Sequence, residues 1–256
     1  MAGFLIATAL KDYLRPRRVI VWALIILVLY GLSRAFILVN PGASTQDAYI
    51  QLSGLMVYRV LGLAAAIFAT AVISQEIEQK TIVYLVTRPI PRPMIILTRL
   101  VATIVVVYAI ALLAAISVSV ATYGSGAFSN AILWRDAKAL LVGAAAYSSV
   151  FVFFSLLMNR GMLINLFFVF GWETFIPNLP GDAYRLSIYS YLKAIAQRPT
   201  TGNVQSPLGF VSGQTGPDFM NATTGYTTML FLSIAMALAA AWWFKNFEYL
   251  PREDAE

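Results

Sequence analysis

The stretch LVATIVVVYAIALLAAISVSVATYGSGAFSNAILW, residues 100–134, carries no charged residue over 35 positions. A helix rising 1.5 Å per residue crosses a hydrocarbon core of about 30 Å in roughly 20 residues. The stretch is long enough to do so. It lacks the strict apolar–polar alternation of a membrane β-strand. Its natural solvent is therefore lipid, as a helix. The rest of the chain agrees: of 256 residues, 59% are hydrophobic and 12% are charged, and the mean hydropathy is +0.74. Soluble domains lie near 45–50% apolar and about 25% charged. This composition excludes a water-soluble globular enzyme, and its apolar content excludes intrinsic disorder.

Working outward from that stretch, charge-poor segments predict six spans, at about 19–38, 54–74, 100–122, 139–158, 161–176 and 226–244. The fifth meets Glu173 and Pro177 and reads as short. The fold class expected is an all-α integral membrane protein forming one transmembrane domain over residues 1–256. The first span is too long for a signal-peptide core, and no small-x-small site follows it.

Basic residues set the expected orientation. Lys11, Arg15, Arg17 and Arg18 precede span one, while Lys80, Arg88, Arg92 and Arg99 lie between spans two and three. Arg160 follows span four, and Lys245 and Arg252 follow span six. These are eleven of the 18 basic residues on one side. The surplus of +6 thus reads as an orientation signal rather than a nucleic-acid surface, with both termini in the cytoplasm. Arg34 and Arg59 fall near outer span ends, where they are expected to snorkel to the headgroups. Trp22, Tyr30, Trp134, Trp172, Tyr226, Trp242 and Trp243 lie near span ends and read as an aromatic belt. Tyr108, Tyr147 and Phe151 to Phe154 read as packing residues.

Several chemistries lack their residues. There is no cysteine and no histidine, which removes thiolate and imidazole ligands, thiol nucleophiles and the commonest general base. No ionisable residue is placed at mid-membrane and no inward-facing carboxylate pair is expected, so an ion-coupled transporter and an intramembrane enzyme are disfavoured. No catalytic, cofactor-binding or metal site is expected.

The segments between spans carry further signals. Phe4 to Leu14 is apolar with Lys11 and Asp12 at its polar end, and Pro16 stops it, which predicts an interfacial helix. Asn159-Arg160-Gly161 predicts a tight hairpin with Gly161 at a helix C′ position. Asn165 is a candidate interhelical hydrogen-bonding residue. Residues 182–198 predict a helical piece capped by Asp182, folding back into the outer membrane face because span five is short. The segment SQEIEQKTIVYLVTRPIPRPMIILTR, residues 74–99, is the most patterned of all. Ile77, Thr81, Tyr84 and Leu85 share a helical face, and Glu76 and Lys80 form an i, i+4 pair. Pro89, Pro91 and Pro93 then forbid helix continuation and stiffen a corner that includes Arg92. A short helix with an apolar face at the membrane surface is a docking element for a partner.

Glu76-x-Glu78-x-x-Thr81, followed by Leu85-Val86-Thr87-Arg88-Pro89-Ile90-Pro91-Arg92 and Ile95 to Arg99, resembles the signature of ABC-2 type permeases. These are the transmembrane subunits of type V ABC exporters. The family pattern has Gly where this chain has Lys80, Ser where it has Pro91, and Lys where it has Arg99. The likeness extends to the six-span layout, the N-terminal interfacial helix, the long outer segment before span six and the Phe244-x-x-Phe247 tail. It implies that the segment between spans two and three contains a coupling helix against a nucleotide-binding subunit, with Glu76, Glu78, Thr81, Tyr84 and Arg88 as contacts.

The resemblance also implies ABC ATPase subunits as partners, with ATP and Mg on those subunits, and a second permease copy or a related permease alongside membrane lipids. The implied location is a bacterial inner membrane. The chain's own residues agree that any motor is separate, because no Gly-Lys pair exists from which to build a Walker A loop. The cytoplasmic segments are also too short to fold a nucleotide-binding domain. The alternative reading is a non-transport membrane anchor for a soluble ATPase or maturation complex.

Overall fold

Long helices form here because apolar side chains fill almost every position and the breakers sit at the ends. The computed structural model describes residues 2–13, 15–42, 44–78, 92–158, 160–178, 181–198 and 220–246. Helix α1 is Ala2–Tyr13, and α2 is Pro16–Val39 with its proline in the first turn, where no N–H partner is lost. Helix α3 is Thr45–Leu52, capped by Ser44, whose Oγ accepts from Asp47 N at 3.1 Å. A π turn at Ser53–Val57 joins it to α4, Tyr58–Glu78. Helix α5 is Arg92–Tyr123, again with a proline, Pro93, in its first turn. Helix α6 is Ala131–Leu157, capped by Asn130, whose Oδ1 accepts from Ile132 N.

Helix α7, Gly161–Phe167, passes through a second π turn, Phe168–Trp172, into α8, Glu173–Phe175. A 3-10 turn at Gly181–Leu186 leads to α9, Ile188–Ile195, and α10 is Ala222–Asn246.

Five apolar segments are long enough to cross a bilayer: 16–39, 45–72, 93–129, 131–157 and 222–246. The chain is thus a multi-pass helical membrane protein. The fifth expected span, 161–176, is an apolar helical run at 161–175, shorter than the roughly 20 residues a crossing needs. Among the described residues, five helices are thus long enough to cross alone, and the shorter 161–175 run leads from one end of the bundle to the other.

Contacts fix the direction of each helix. Arg34 of α2 donates to the carbonyl of Ala121 in α5 at 3.2 Å, and Ser117 Oγ donates to Ile26 O, so α2 and α5 run parallel. Arg99 near the start of α5 donates to Val72 O late in α4, so α4 runs against them. Arg15, Glu78, Arg92, Leu157 and Asn246 consequently share one end of the bundle, the termini end. The far end collects α3, the starts of α4, α6 and α10, and residues 173–198.

Helix α6 is central, packing against α4, α5, α9 and α10. Small residues line its contacts and those of its neighbours: Ala64, Ala65, Ala66, Ala111, Ala114, Ala115, Ala139, Ala144 and Ala146 are fully buried. In lipid, where apolar attraction between helices is weak, such residues let backbones approach closely. Helix α2 is peripheral: 17% of its apolar window is buried, against 67% for the window of α6. Leu24, Leu27 and Leu38 of α2 and Phe231 and Leu238 of α10 point outward, as lipid-facing positions should.

Three local expectations are corrected. Gly161 is not a left-handed C′ residue but opens α7. It is needed because a Cβ there would lie 2.8 Å from Ser155 Cα across the hairpin. Asp182 does not cap the outer helix: α9 starts at Ile188 with Ser187 as cap, Ser187 Oγ accepting from Ser190 N. Trp22 belongs to no belt, being buried and stacked on Phe68 with centroids 5.9 Å apart. Trp134, Trp172 and Trp242 are exposed. Tyr147 and Phe151 pack in the core as expected.

Candidate functional site

The far end holds a buried polar network built from distant parts of the chain. Asp136 lies in the second turn of α6 and is fully buried. It sits on the same face as Leu133, Leu140 and Gly143, the i, i+3, i+7, i+10 positions of an inward stripe. Arg198, just beyond α9, meets it with Nη2 at 2.8 Å from Oδ2 and Nε at 3.3 Å from Oδ1. Tyr49 OH donates to Oδ2 at 3.0 Å and Tyr58 OH to Oδ1 at 3.1 Å. The carboxylate thus accepts from one guanidinium and two phenols. The remaining Arg198 donors go to Ile50 O at 2.8 Å and Ser53 Oγ at 2.7 Å, and its guanidinium lies 4.8 Å from the Tyr58 ring centroid.

The charges are worth burying only because they are so fully matched. Removing one partner of such a pair strands the other, a loss of about 3–5 kcal/mol.

A second buried carboxylate lies close by. Glu173 accepts from Ser187 Oγ at 2.6 Å, Ile188 N at 3.0 Å and Tyr189 N at 3.1 Å. It therefore holds the N-terminus of α9 from outside, where two unpaired N–H groups and the helix dipole favour a negative charge. Arg59 donates to Val169 O at 2.8 Å, a carbonyl in the second π turn. Arg59 is half-buried rather than snorkelled, because the π turn offers it an inward acceptor. Tyr58, Arg59, Tyr147, Val169, Glu173 and Tyr189 line a small pocket, with room for roughly one water. Lys193 of α9 lies 5.7 Å from the Tyr189 ring centroid, and burial, with Arg198 adding repulsion, pushes its ammonium down to about 8.

The expectation of no inward-facing carboxylate pair is therefore corrected: Asp136 and Glu173 both point inward at the far end. The run Arg135-Asp136-Ala137-Lys138 reads as a charged loop when charges are counted. The stripe Leu133, Asp136, Leu140 and Gly143 is the signal that places Asp136 inside.

Farther down the bundle, Asn165 Nδ2 donates to Ser155 Oγ at 3.0 Å, Thr70 Oγ1 at 3.2 Å and Phe151 O at 3.4 Å. It joins α4, α6 and α7, as a residue linking helices should.

The two described flanks of the predicted docking segment lie at the opposite end. Glu76 and Glu78 lie in the last turn of α4, and Arg92 opens α5. Thr81, Tyr84, Arg88, Pro89 and Pro91 lie outside the described residues. In the same half of the bundle, Thr103 Oγ1 donates to Tyr13 OH at 3.2 Å, tying α1 to α5, and the Tyr13 ring meets Phe68 edge-on. Among the described residues, no group of three or more Asp and Glu side chains is placed to hold a metal ion. Compared with known proteins, the sequence matches no family model and no curated protein.

Proposed function

We propose that the chain is the transmembrane permease subunit of an ABC exporter in a bacterial cytoplasmic membrane, with both termini in the cytoplasm. The observation that carries this reading is the placement of the 74–99 segment. Its Glu-x-Glu start ends α4, its Arg92 opens α5, and both helix ends lie at the termini end with Arg15 and Asn246. These helix ends support the resemblance to a coupling helix, because they lie at the end that the basic residues mark as cytoplasmic.

In this reading Glu76, Glu78, Thr81, Tyr84 and Arg88 contact a separate ATPase subunit that binds ATP and Mg. The chain does no catalysis. Two copies, or one copy and a related permease, pair with two motors. Closure of the motors rocks the 76–88 segment, and the motion passes through α4 into the bundle.

The test is purification of the tagged chain from its own cells together with any ABC ATPase subunit it holds. Co-purification of the two, with ATP hydrolysis stimulated in the complex, is the expected result. A chain that purifies without any ATP-hydrolysing partner overturns the reading. Partner binding without stimulation by any hydrophobic substrate would favour the membrane-anchor alternative.

A further inference from the structure

The elbow from α1 into α2 is densely basic. Lys11, Arg15, Arg17 and Arg18 fall within eight residues, and Asp12 is the sole acidic residue before position 47. Arg15 pairs with Asp12 at 3.4 Å. Lys11, Arg15 and Arg17 are exposed, and Arg18 is half-buried. These charges do not serve α2 itself. Its first turn holds no acidic residue, and a cation there opposes the helix dipole. The backbone beneath them is nevertheless firmly held. Tyr13 before the arginines and Trp22 after them pack on one buried ring, Phe68 of α4, with centroids 5.4 and 5.9 Å away. Thr103 adds its hydrogen bond to Tyr13 OH. A rigid support thus presents the basic residues outward.

Depth sets what they meet. From Val19 to Val39, α2 rises about 31 Å, the thickness of a hydrocarbon core. Arg15, Arg17 and Arg18 therefore stand just outside that core, at the depth of lipid phosphates. Helical side chains lean toward the N-terminus, which carries the Arg17 and Arg18 stems further that way. Arg17 also heads an outward stripe. Ile20, Val21, Leu24 and Val28, at i+3, i+4, i+7 and i+11 from it, are all exposed. From Arg17 to Val28 the stripe runs about 16 Å, close to half the hydrocarbon core. A charged head above an apolar track of acyl-chain length matches the two parts of a phospholipid.

We propose that this elbow is a binding site for one anionic phospholipid, in the leaflet at the termini end. The lipid phosphate lies among Arg15, Arg17 and Arg18, and an acyl chain lies along Ile20, Val21, Leu24 and Val28. Guanidiniums suit this role because their planar forks match phosphate oxygens. Each basic residue near an anionic headgroup strengthens binding about fivefold. The site needs neither a motor nor the permease reading. A role in orientation alone acts during insertion and leaves no lipid preference in the purified protein.

The experiment is native mass spectrometry of the full chain in detergent, titrated with phosphatidylglycerol or phosphatidylcholine of equal chain length. The unaltered chain is expected to hold one phosphatidylglycerol about tenfold or more tighter than phosphatidylcholine. Combined Arg15→Gln, Arg17→Gln and Arg18→Gln should bring the two lipids within about twofold, with the melting temperature unchanged. The same three positions changed to Lys should keep most of the preference, because charge is retained. Arg135→Gln with Lys138→Gln, exposed charges at the far end, should leave it intact. If the triple Gln variant fails to fold, Arg17→Gln alone carries the comparison, with a loss of about fivefold expected. Equal binding of both lipids by the unaltered chain, a preference that survives the Gln changes, or its equal loss in the far-end variant overturns the proposal. So does displacement of the lipid by glycerol phosphate at equal concentration, which would make this a site for soluble anions. A dimer whose lipid binding ignores all these changes would place a second copy on the stripe, and also overturns it.

Discussion

The two ends of the bundle use charge in opposite ways. At the termini end, Arg15 pairs with Asp12 at 3.4 Å with both side chains more than half exposed. Such a pair contributes only about 0–1 kcal/mol in water. At the far end, Asp136 and Arg198 meet at 2.8 Å with 0% and 4% of their side chains exposed, and two phenols also donate to the carboxylate. The first arrangement leaves charge free to read a lipid headgroup or a protein partner. The second withdraws charge from solvent and spends it on fixing one helix in place. A positive-inside count therefore tells nothing of the far end, where two of the basic residues, Arg59 and Arg198, face inward.

The largest test of this contrast is Asp136→Ala. It strands a buried guanidinium and two buried phenols, so a loss of about 3–5 kcal/mol is expected, measured as a fall in melting temperature by fluorescence-detected chromatography. Arg15→Ala should leave melting unchanged within error, and equal effects would erase the distinction between the ends.

Next comes Gly161→Ala at the termini end. Its new Cβ would meet the backbone of Ser155 at 2.8 Å, where no rotamer change gives relief. A loss of about 1–3 kcal/mol is expected from overpacking, read as thermal destabilisation. Asn165→Ala removes the two N–H donors that three acceptors inside the bundle share, but no charge. Interhelical hydrogen bonds in lipid average about 0.6 kcal/mol, so melting should fall by much less than for Asp136→Ala.

The smallest effect concerns Lys193. Its folded pKa of about 8 lies below the usual 10.4 or so of an unfolded lysine. Below pH 8 the folded state bears the cost of a buried charge, and stability rises as pH climbs from about 8 to about 10.4. Lys193→Met should therefore raise the melting temperature slightly at pH 7, and the gain should vanish by about pH 10. A gain that persists unchanged at pH 10 would assign it to packing instead.

Span length and apolarity make the long helices, the hairpin at Arg160 and helix α1 legible from sequence, since each depends on residues close together in the chain. The far-end network is not legible in that way. Asp136 finds its guanidinium 62 positions later, and Glu173 finds amides 15 and 16 positions on. A charge count places both carboxylates in or beside loops. Only the inward stripe of Leu133, Asp136, Leu140 and Gly143 hints otherwise, and a stripe does not reveal its partner. The π turns at Ser53–Val57 and Phe168–Trp172 are also silent in sequence, because they arise where Arg198 and Arg59 draw on backbone carbonyls. The docking residues are the reverse case: they are legible as a motif, while three of them, Thr81, Tyr84 and Arg88, lie outside the described residues.

The central claim is that the termini end carries the motor-binding element. Its most direct measurement is the double variant Glu78→Arg with Tyr84→Ala, purified from its own cells and compared with the unaltered chain for the ABC ATPase subunit it holds. The expected result is an unchanged melting temperature, with complex recovery and stimulated ATP hydrolysis reduced about tenfold or more, as loss of central interface contacts would produce. Recovery and stimulation equal to those of the unaltered chain would contradict the assignment.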